Sequence, residues 1–315
     1  MTDTNAAPTV EPARRILTLP ELTQRQAADV LELIEHAVRV DGASAVSEQG
    51  RLHLAGGLRP GITHFLLFDG ERLAGYGQLE DTDPVEAPAA ELVVHPALRG
   101  RGHGRALGGA LLAASGKRLR AWAHGGKSGA RHLAQVLGLT LFRELRQLRR
   151  PLVAEPGREF TPLPEPVWPA GVTVRTFVPG RDEEAWLAAN AAAFAHHPEQ
   201  GSLDARDLAD RMAQPWFDPA GFFLAERDGE LVGFHWTKRH EAEDLGEVYV
   251  VGVLPTAQGG GLGKALTAVG LRHLSESGLP TAMLYVDADN PAALSVYEGL
   301  GFTTHAVDLM YRTET

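Results

Sequence analysis

The sequence predicts an α/β chain with mixed sheets, built as two tandem copies of one fold. Three observations carry that prediction. The chain is 315 residues long, and at roughly 100 to 200 residues per domain this favours two domains over one. Between Pro151 and Pro169 six prolines fall in nineteen residues, each removing a backbone donor and disfavouring helix just before it, so the stretch reads as a linker. On either side the sequence repeats. ELVVHPALRGRGHGRAL from Glu91 superposes without a gap on VYVVGVLPTAQGGGLGKAL from Val248 when Val94 is laid on Val253, an offset of 159. WAHGGKSGARHLAQVLGL from Trp122 lies on YVDADNPAALSVYEGLGF from Tyr285 at an offset of 163. The copies are therefore expected at 1–150 and 171–315, joined by a Pro-rich linker at 151–170.

In the first copy Thr23 to Val40 reads as a helix, Phe65 to Phe68 and Leu73 to Leu79 as a hairpin about Asp69-Gly70, and Glu91 to Val94 as the central strand. In the second, Val172 to Phe177 alternates as a strand. Glu183 to Phe194 has helix-forming composition with Asp182 as its cap, and Leu203 to Met212 suggests a second helix. Phe222 to Glu226 and Leu231 to Lys238 flank Asp228-Gly229, a hairpin signal, and Glu247 to Leu254 is apolar enough for a central strand. Gly263 to Ser277 reads as a helix, and Ala282 to Val286 as a short buried strand. Pro291 suits the first turn of a helix carrying Leu294 to Tyr297, with Gly299 and Gly301 flanking its end. The order is βααβββαβα, then β, a mixed sheet with helices on its faces.

Composition narrows the function classes. Hydrophobic residues make up 44% and charged residues 22%, which excludes a disordered or fibrous chain. The formal charge of -10 repels phosphate backbones and acidic membranes, so nucleic acid is not an expected partner. With no cysteine there is no disulfide framework, thiolate metal site or cysteine nucleophile, which suits a reducing cytoplasm. Asp3 and Glu11 interrupt the start, and no apolar run approaches the ~18 residues of a membrane span, so the reading is cytoplasmic. His196, His197, His235 and His240 show no ligand spacing of a recognised motif, and no metal is expected. Two fused copies already resemble an internal pseudo-dimer, which favours a monomer.

The strongest chemical signal is a strand, a Gly-rich turn and a helix start, QGGGLGKA from Gln258 and RGRGHGRA from Arg99. Such a turn lets backbone N–H groups converge at the positive end of a helix, which suits a pyrophosphate. Other phosphate motifs fail. Leu107 and Leu266 stand where G-x-G-x-x-G needs its third glycine; Ala121 stands where a Walker motif ending at Gly126 needs its first, and Ala265 follows Lys264 where Ser or Thr is needed.

The pattern that fits, Q/R-x-x-G-x-G/A after a bulged strand, resembles the acetyl-CoA pyrophosphate loop of the GCN5-related N-acetyltransferase (GNAT) superfamily. Gln258, Gly261 and Gly263 match it in the second copy and Arg99, Gly102 and Gly104 in the first. The element order is also that family's. The segments VDGASAVSEQ, AELVVHP, WAHG, RELRQLRRPL, HPEQGS, GFHWTK, LGEVYVVGV and LYVDADNPAALSVYEGLGFTTHAVD resemble its double-domain, mycothiol-forming actinobacterial branch. That resemblance implies two tandem GNAT domains, with acetyl-CoA as cosubstrate and no metal. The activity it implies is acetyl transfer to the cysteinyl amine of cysteinyl-glucosaminyl-inositol.

The resemblance also assigns residues. Val251, Gly252 and Val253 would hold the pantetheine arm in β fashion, as would Leu92, Val93 and Val94 in the first copy. The pyrophosphate would meet Gln258, Gly259, Gly260, Gly261, Leu262, Gly263 and Lys264, or Gly100, Arg101, Gly102, His103, Gly104 and Arg105. Asn290, Ala292, Ala293 and Ser295 complete the cofactor set. An α-amine with a pKa of about 8 is about a tenth neutral at pH 7, so a modest base suffices, and the family places it at Glu247. Tyr297, seven residues after Asn290, would protonate the leaving thiolate. A phenol near 10 donating to a thiol near 8.5 is uphill by roughly 2 kcal/mol, so Tyr297 must be positioned to help. In the first copy these positions align with Pro88, Lys127 and Ala134, which leaves that copy able to bind acetyl-CoA without catalysing transfer. For the acceptor the resemblance implicates Glu48, Glu199, Lys238 and Tyr285 as well as Glu247, lining a shared polar cleft. The fold alone leaves open another primary amine as acceptor, such as a peptide N-terminus or an aminoglycoside, and a non-catalytic acetyl-CoA sensor.

Overall fold

The computed structural model describes residues 14–314 apart from 56, 84, 155, 158, 159 and 196. In chain order the elements are β1 (Arg14–Leu19), α1 (Gln24–Asp41), α2 (Glu48–Ala55), β2 (Ile62–Asp69), β3 (Arg72–Glu80), β4 (Ala89–Val94), α3 (His103–Ala114), β5 (Arg120–Ala123), α4 (Ser128–Val136) and β6 (Leu139–Pro151). There follow β7 (Val172–Thr176), α5 (Glu183–Ala193), α6 (Pro198–Gly201), α7 (Ala205–Met212), β8 (Phe222–Arg227), β9 (Glu230–His240), β10 (Leu245–Val253), α8 (Leu262–Glu276), β11 (Thr281–Asp287), α9 (Pro291–Gly299) and β12 (Thr303–Thr313). The expected order βααβββαβαβ is present in the first half, and the second half repeats it with one additional short helix, α6, between α5 and α7. Contacts divide the chain into one unit that runs to Arg143 and takes in Asp308–Thr315, and a second unit, Glu144–Val307.

In the first unit β1, β2, β3 and β4 form an antiparallel ladder, β5 lies parallel to β4, and Leu309 to Arg312 of β12 pairs antiparallel with β5. Helix α1 starts where the sequence places it. Thr23 accepts the Gln26 N–H at 3.3 Å while Gln26 accepts the Thr23 N–H at 2.9 Å, a capping box that satisfies two orphan donors. Its apolar stripe, Val30, Leu33, Ile34 and Ala37, covers Leu66, Tyr76 and Val93 on one face of the sheet. On the other face Leu107 and Leu111 of α3 pack on Phe65, Leu67, Ala74 and Ala90.

The second unit repeats this plan: β7, β8, β9 and β10 are antiparallel, β11 is parallel to β10, and residues 145–151 of β6 pair antiparallel with β11. The closing strands are thus exchanged in sequence. β6 follows the first copy yet flanks β11, and the end of β12 follows the second copy yet flanks β5. Trp186 of α5 and Leu208 of α7 bury against Phe222, Phe234, Trp236 and Val250, and α8 covers the opposite face through Leu271 and Leu274.

Asp182 stands at the start of α5 but is not its side-chain cap. Its carboxylate instead accepts from Arg175 at 2.6 and 3.0 Å and from the Val178 N–H at 2.8 Å, charge-assisted and backbone bonds that turn it back toward the strand it follows. Among the described residues no helix is long and apolar enough to cross a membrane.

Candidate active site

The two glycine loops have the same local geometry. Gln258 donates through Nε2 to the Val253 carbonyl at 3.1 Å, and Arg99 donates through Nε to the Val94 carbonyl at 3.2 Å. Gly259 and Gly261 have φ of +83° and +81°, and Gly100 and Gly102 +76° and +79°, a region that only glycine enters cheaply. Neither Gly261 nor Gly102, the residues before α8 and α3, supplies a side-chain cap. The first helical bonds are Ala265 N–H to Gly261 and Ala106 N–H to Gly102, at 3.1 and 3.0 Å, so the preceding N–H groups have no intrahelical acceptor and can take an anion. The loops differ in their surroundings. Arg99 is clamped by Asp41 at 2.7 Å through both terminal guanidinium nitrogens, a pairing that holds the Asp41 carboxyl below its usual range.

Strand geometry places the pantetheine candidates. β10 pairs with β11 only at Leu245, Gly246 and Glu247, and β4 with β5 only at Ala89 and Ala90. Val251, Gly252 and Val253, and likewise Leu92, Val93 and Val94, therefore lie beyond the last parallel pair, where the backbone edge is available for β-type pairing.

Glu247 is 6% exposed and sits at the last parallel pair, opposite Met283 on one side and Lys238 on the other. His240 Nε2 lies 2.7 Å from its Oε2. The buried Lys238 places its ammonium 4.6 Å from the Trp216 ring centre and 5.1 Å from that of Tyr249, whose hydroxyl accepts from Arg211 Nε at 2.8 Å. Tyr297, on α9, packs edge-on against Phe302 at 5.9 Å and joins Val248, Val251 and Ala293 in one apolar cluster. Burial pushes its phenol up to about 12. Asn290 caps α9, its Oδ1 accepting the Ala293 N–H at 3.0 Å, while Ala292 and Ser295 lie on the exposed side of that helix.

Tyr285 is 41% exposed on β11, and its hydroxyl accepts from Gln147 Nε2 at 2.8 Å. Glu48 is the first residue of α2 in the first unit. Glu199 falls in α6, with its side chain outside the described residues, as is His196. Among the described residues no cluster of three or more histidines and carboxylates could hold a metal ion.

One sequence alignment is corrected. Register shifts between Val248 and Val250 in β10, and β4 has no such shift, so the position in the first copy equivalent to Glu247 is Ala89 rather than Pro88. Neither side chain can accept a proton. Lys127 stands before α4 as Asn290 stands before α9 but makes no cap, and Ala134 is buried where Tyr297 stands.

Sequence reasoning missed three features. The spacing of His240 speaks only against metal binding, and Trp216 carries no motif. The third is a buried bridge in the first unit, in which His124 contacts Glu91 at 2.7 Å and Asp308 at 3.0 Å. Burial would lower the imidazole's affinity for protons, but the hydrogen bonds of Asp308 and Glu91 outweigh it and hold His124 up at about 10. Glu91 also accepts the Ser47 N–H at 3.0 Å, and Asp308 the Gly125 N–H at 2.6 Å.

A model of the acetyltransferase (GNAT) family matches the chain twice, over residues 31–139 and 187–302. A mycothiol acetyltransferase of Streptomyces avermitilis is 74% identical over 302 residues, covering 96% of each chain. That of Streptomyces coelicolor is 71% identical, covering 98% of each, and that of Thermomonospora curvata 52% identical, covering 93% of this chain and 95% of the relative. Among solved structures, a tandem GNAT protein from the clavulanic acid biosynthesis pathway aligns with a TM-score of 0.71 at 20% identity, over 96% of this chain and 98% of that one. A GCN5-related N-acetyltransferase from Sphaerobacter thermophilus aligns at 0.66 and 23% identity, over 95% of each. Both share the tandem fold.

Proposed function

From a chain that belongs to the acetyltransferase (GNAT) family, and within it to the mycothiol acetyltransferases, we infer acetyl transfer from acetyl-CoA to the cysteinyl amine of cysteinyl-glucosaminyl-inositol. The chain is an acetyl-CoA-dependent N-acetyltransferase of mycothiol biosynthesis. Acetyl-CoA supplies an acetyl group already activated as a thioester, so the protein's work is to bind, orient and move protons. The N–H groups at the start of α8 and in its loop hold the pyrophosphate, and the free edge of β10 at Val251 to Val253 holds the pantetheine. Glu247 takes the amine's proton. Tyr297, with its phenol raised by burial, donates to the leaving thiolate only as the thiolate develops charge.

The observation that carries this reading is the place of Glu247, a buried carboxylate at the point where β10 leaves β11. The acceptor's hydroxyls and ammonium fall to Glu48, Glu199, Lys238 and Tyr285. The first unit binds acetyl-CoA without turning it over: its loop has the same geometry, but Ala89, Lys127 and Ala134 replace the acting groups. The protein works as a cytoplasmic monomer on small molecules: the absence of cysteine suits a reducing cytoplasm, the formal charge of -10 disfavours nucleic acid, and two fused copies already resemble an internal pseudo-dimer.

The test incubates the full chain with acetyl-CoA and cysteinyl-glucosaminyl-inositol beside a panel of generic amines, following products by mass spectrometry. Selective acetylation of the cysteinyl amine is expected. Acetylation of another amine discards the acceptor, and retained acetyl-CoA binding without product makes the chain a sensor.

A further inference from the structure

The two oxygens of Glu247 are not equivalent. Oε2 lies 2.7 Å from His240 Nε2, and no donor among the described residues holds Oε1. The arrangement follows from strand register. Glu247 pairs with Lys238, and His240, two residues along β9, pairs with Leu245 and so lies on the same face as the diagonal neighbour of Glu247. Lys238, directly opposite, has its ammonium drawn over the rings of Trp216 and Tyr249. His240 is thus placed to grip the carboxylate from the end of its strand.

We propose that His240 is a positioning residue for the base: its Nε2–H donates to Oε2 of Glu247, fixing the carboxylate plane so that Oε1 faces the acceptor amine. A carboxylate free to rotate would meet the amine in the productive geometry only part of the time, and a charge-assisted hydrogen bond removes that freedom. His240 neither touches the substrate nor takes the proton, which passes from the amine nitrogen to Oε1 and leaves to solvent after turnover. The inference rests on the reading of Glu247 as the base.

The experiment compares His240→Leu, which removes the donor, with His240→Gln, which keeps an N–H at similar reach, alone and in a Glu247→Gln background. Steady-state kinetics use acetyl-CoA and cysteinyl-glucosaminyl-inositol. His240→Leu is expected to lower kcat by about tenfold to a hundredfold with KM for acetyl-CoA unchanged. His240→Gln should recover most of that loss, and in the Glu247→Gln background His240→Leu should cost nothing more. A wild-type kcat in His240→Leu, no recovery in His240→Gln, or an equal loss without Glu247 each overturns the proposal. Imidazole ¹⁵N spectra of the full chain supply a readout that needs no turnover. If the wild type acetylates no amine, the functional reading fails by itself. In that case a His240 Nε2 resonance that ignores Glu247→Gln still overturns the pairing, and one that moves upholds it.

Discussion

Gln258 folds back onto the strand it follows, its Nε2 donating to the carbonyl of Val253 at 3.1 Å, and so closes the turn that aims the first N–H groups of α8. That bond lies within the loop proposed to hold the pyrophosphate. Replacing Gln258 by alanine removes one neutral hydrogen bond, worth about 1 kcal/mol, and should raise KM for acetyl-CoA about fivefold. Initial rates at saturating acceptor check this, and kcat should hold.

Glu247 is the proposed base. Glu247→Ala should lower kcat by about 10² to 10⁴ while acetyl-CoA still binds, since the loop and the free strand edge are untouched. Equilibrium binding beside steady-state kinetics separates the two effects, and a surviving wild-type rate would remove Glu247 from the mechanism.

Tyr297→Phe should slow turnover by about tenfold rather than abolish it, because a phenol raised to about 12 is a reluctant donor. The donor form is present below that value and lost above it. Between about pH 7 and pH 10 the rate of the wild type should therefore show no alkaline fall that Tyr297→Phe removes.

The His124 bridge links pH to the stability of the first unit. The imidazole titrates ordinarily at 6.5 and is held at about 10 when folded, so protonation stabilises the fold. The contribution is fully present below about 6.5 and disappears as pH rises through about 10. Denaturant midpoints measured across that window should fall with pH in the wild type, and His124→Gln should flatten the slope.

The glycine loops were legible in the sequence because their φ values admit almost no other residue, and the Val94–Val253 alignment holds in three dimensions. Thr23 could be placed for the same local reason, since a cap is set within three residues. The pairing of Glu247 with Pro88 failed because the additional residue of a bulge leaves no mark in a gapless alignment. Asp182 was misread because its competitor, Arg175, comes from the preceding strand. Asp308 stood no chance of being matched to His124: the two are 184 residues apart and meet only because the closing strand is exchanged.

That exchange bears on whether either repeat could be spared. Residues 145–151, encoded at the end of the first repeat, are the strand that flanks β11 on the edge away from β10. The second repeat in turn lends Leu309 to Arg312 to β5. Deleting the first repeat would strip the second unit's sheet of β6, and severing the gene near codon 150 would leave two products, each short of a strand or of its proper end. A cut between the repeats is therefore not a cut between the folded units, because each repeat carries a strand that completes the sheet of the other.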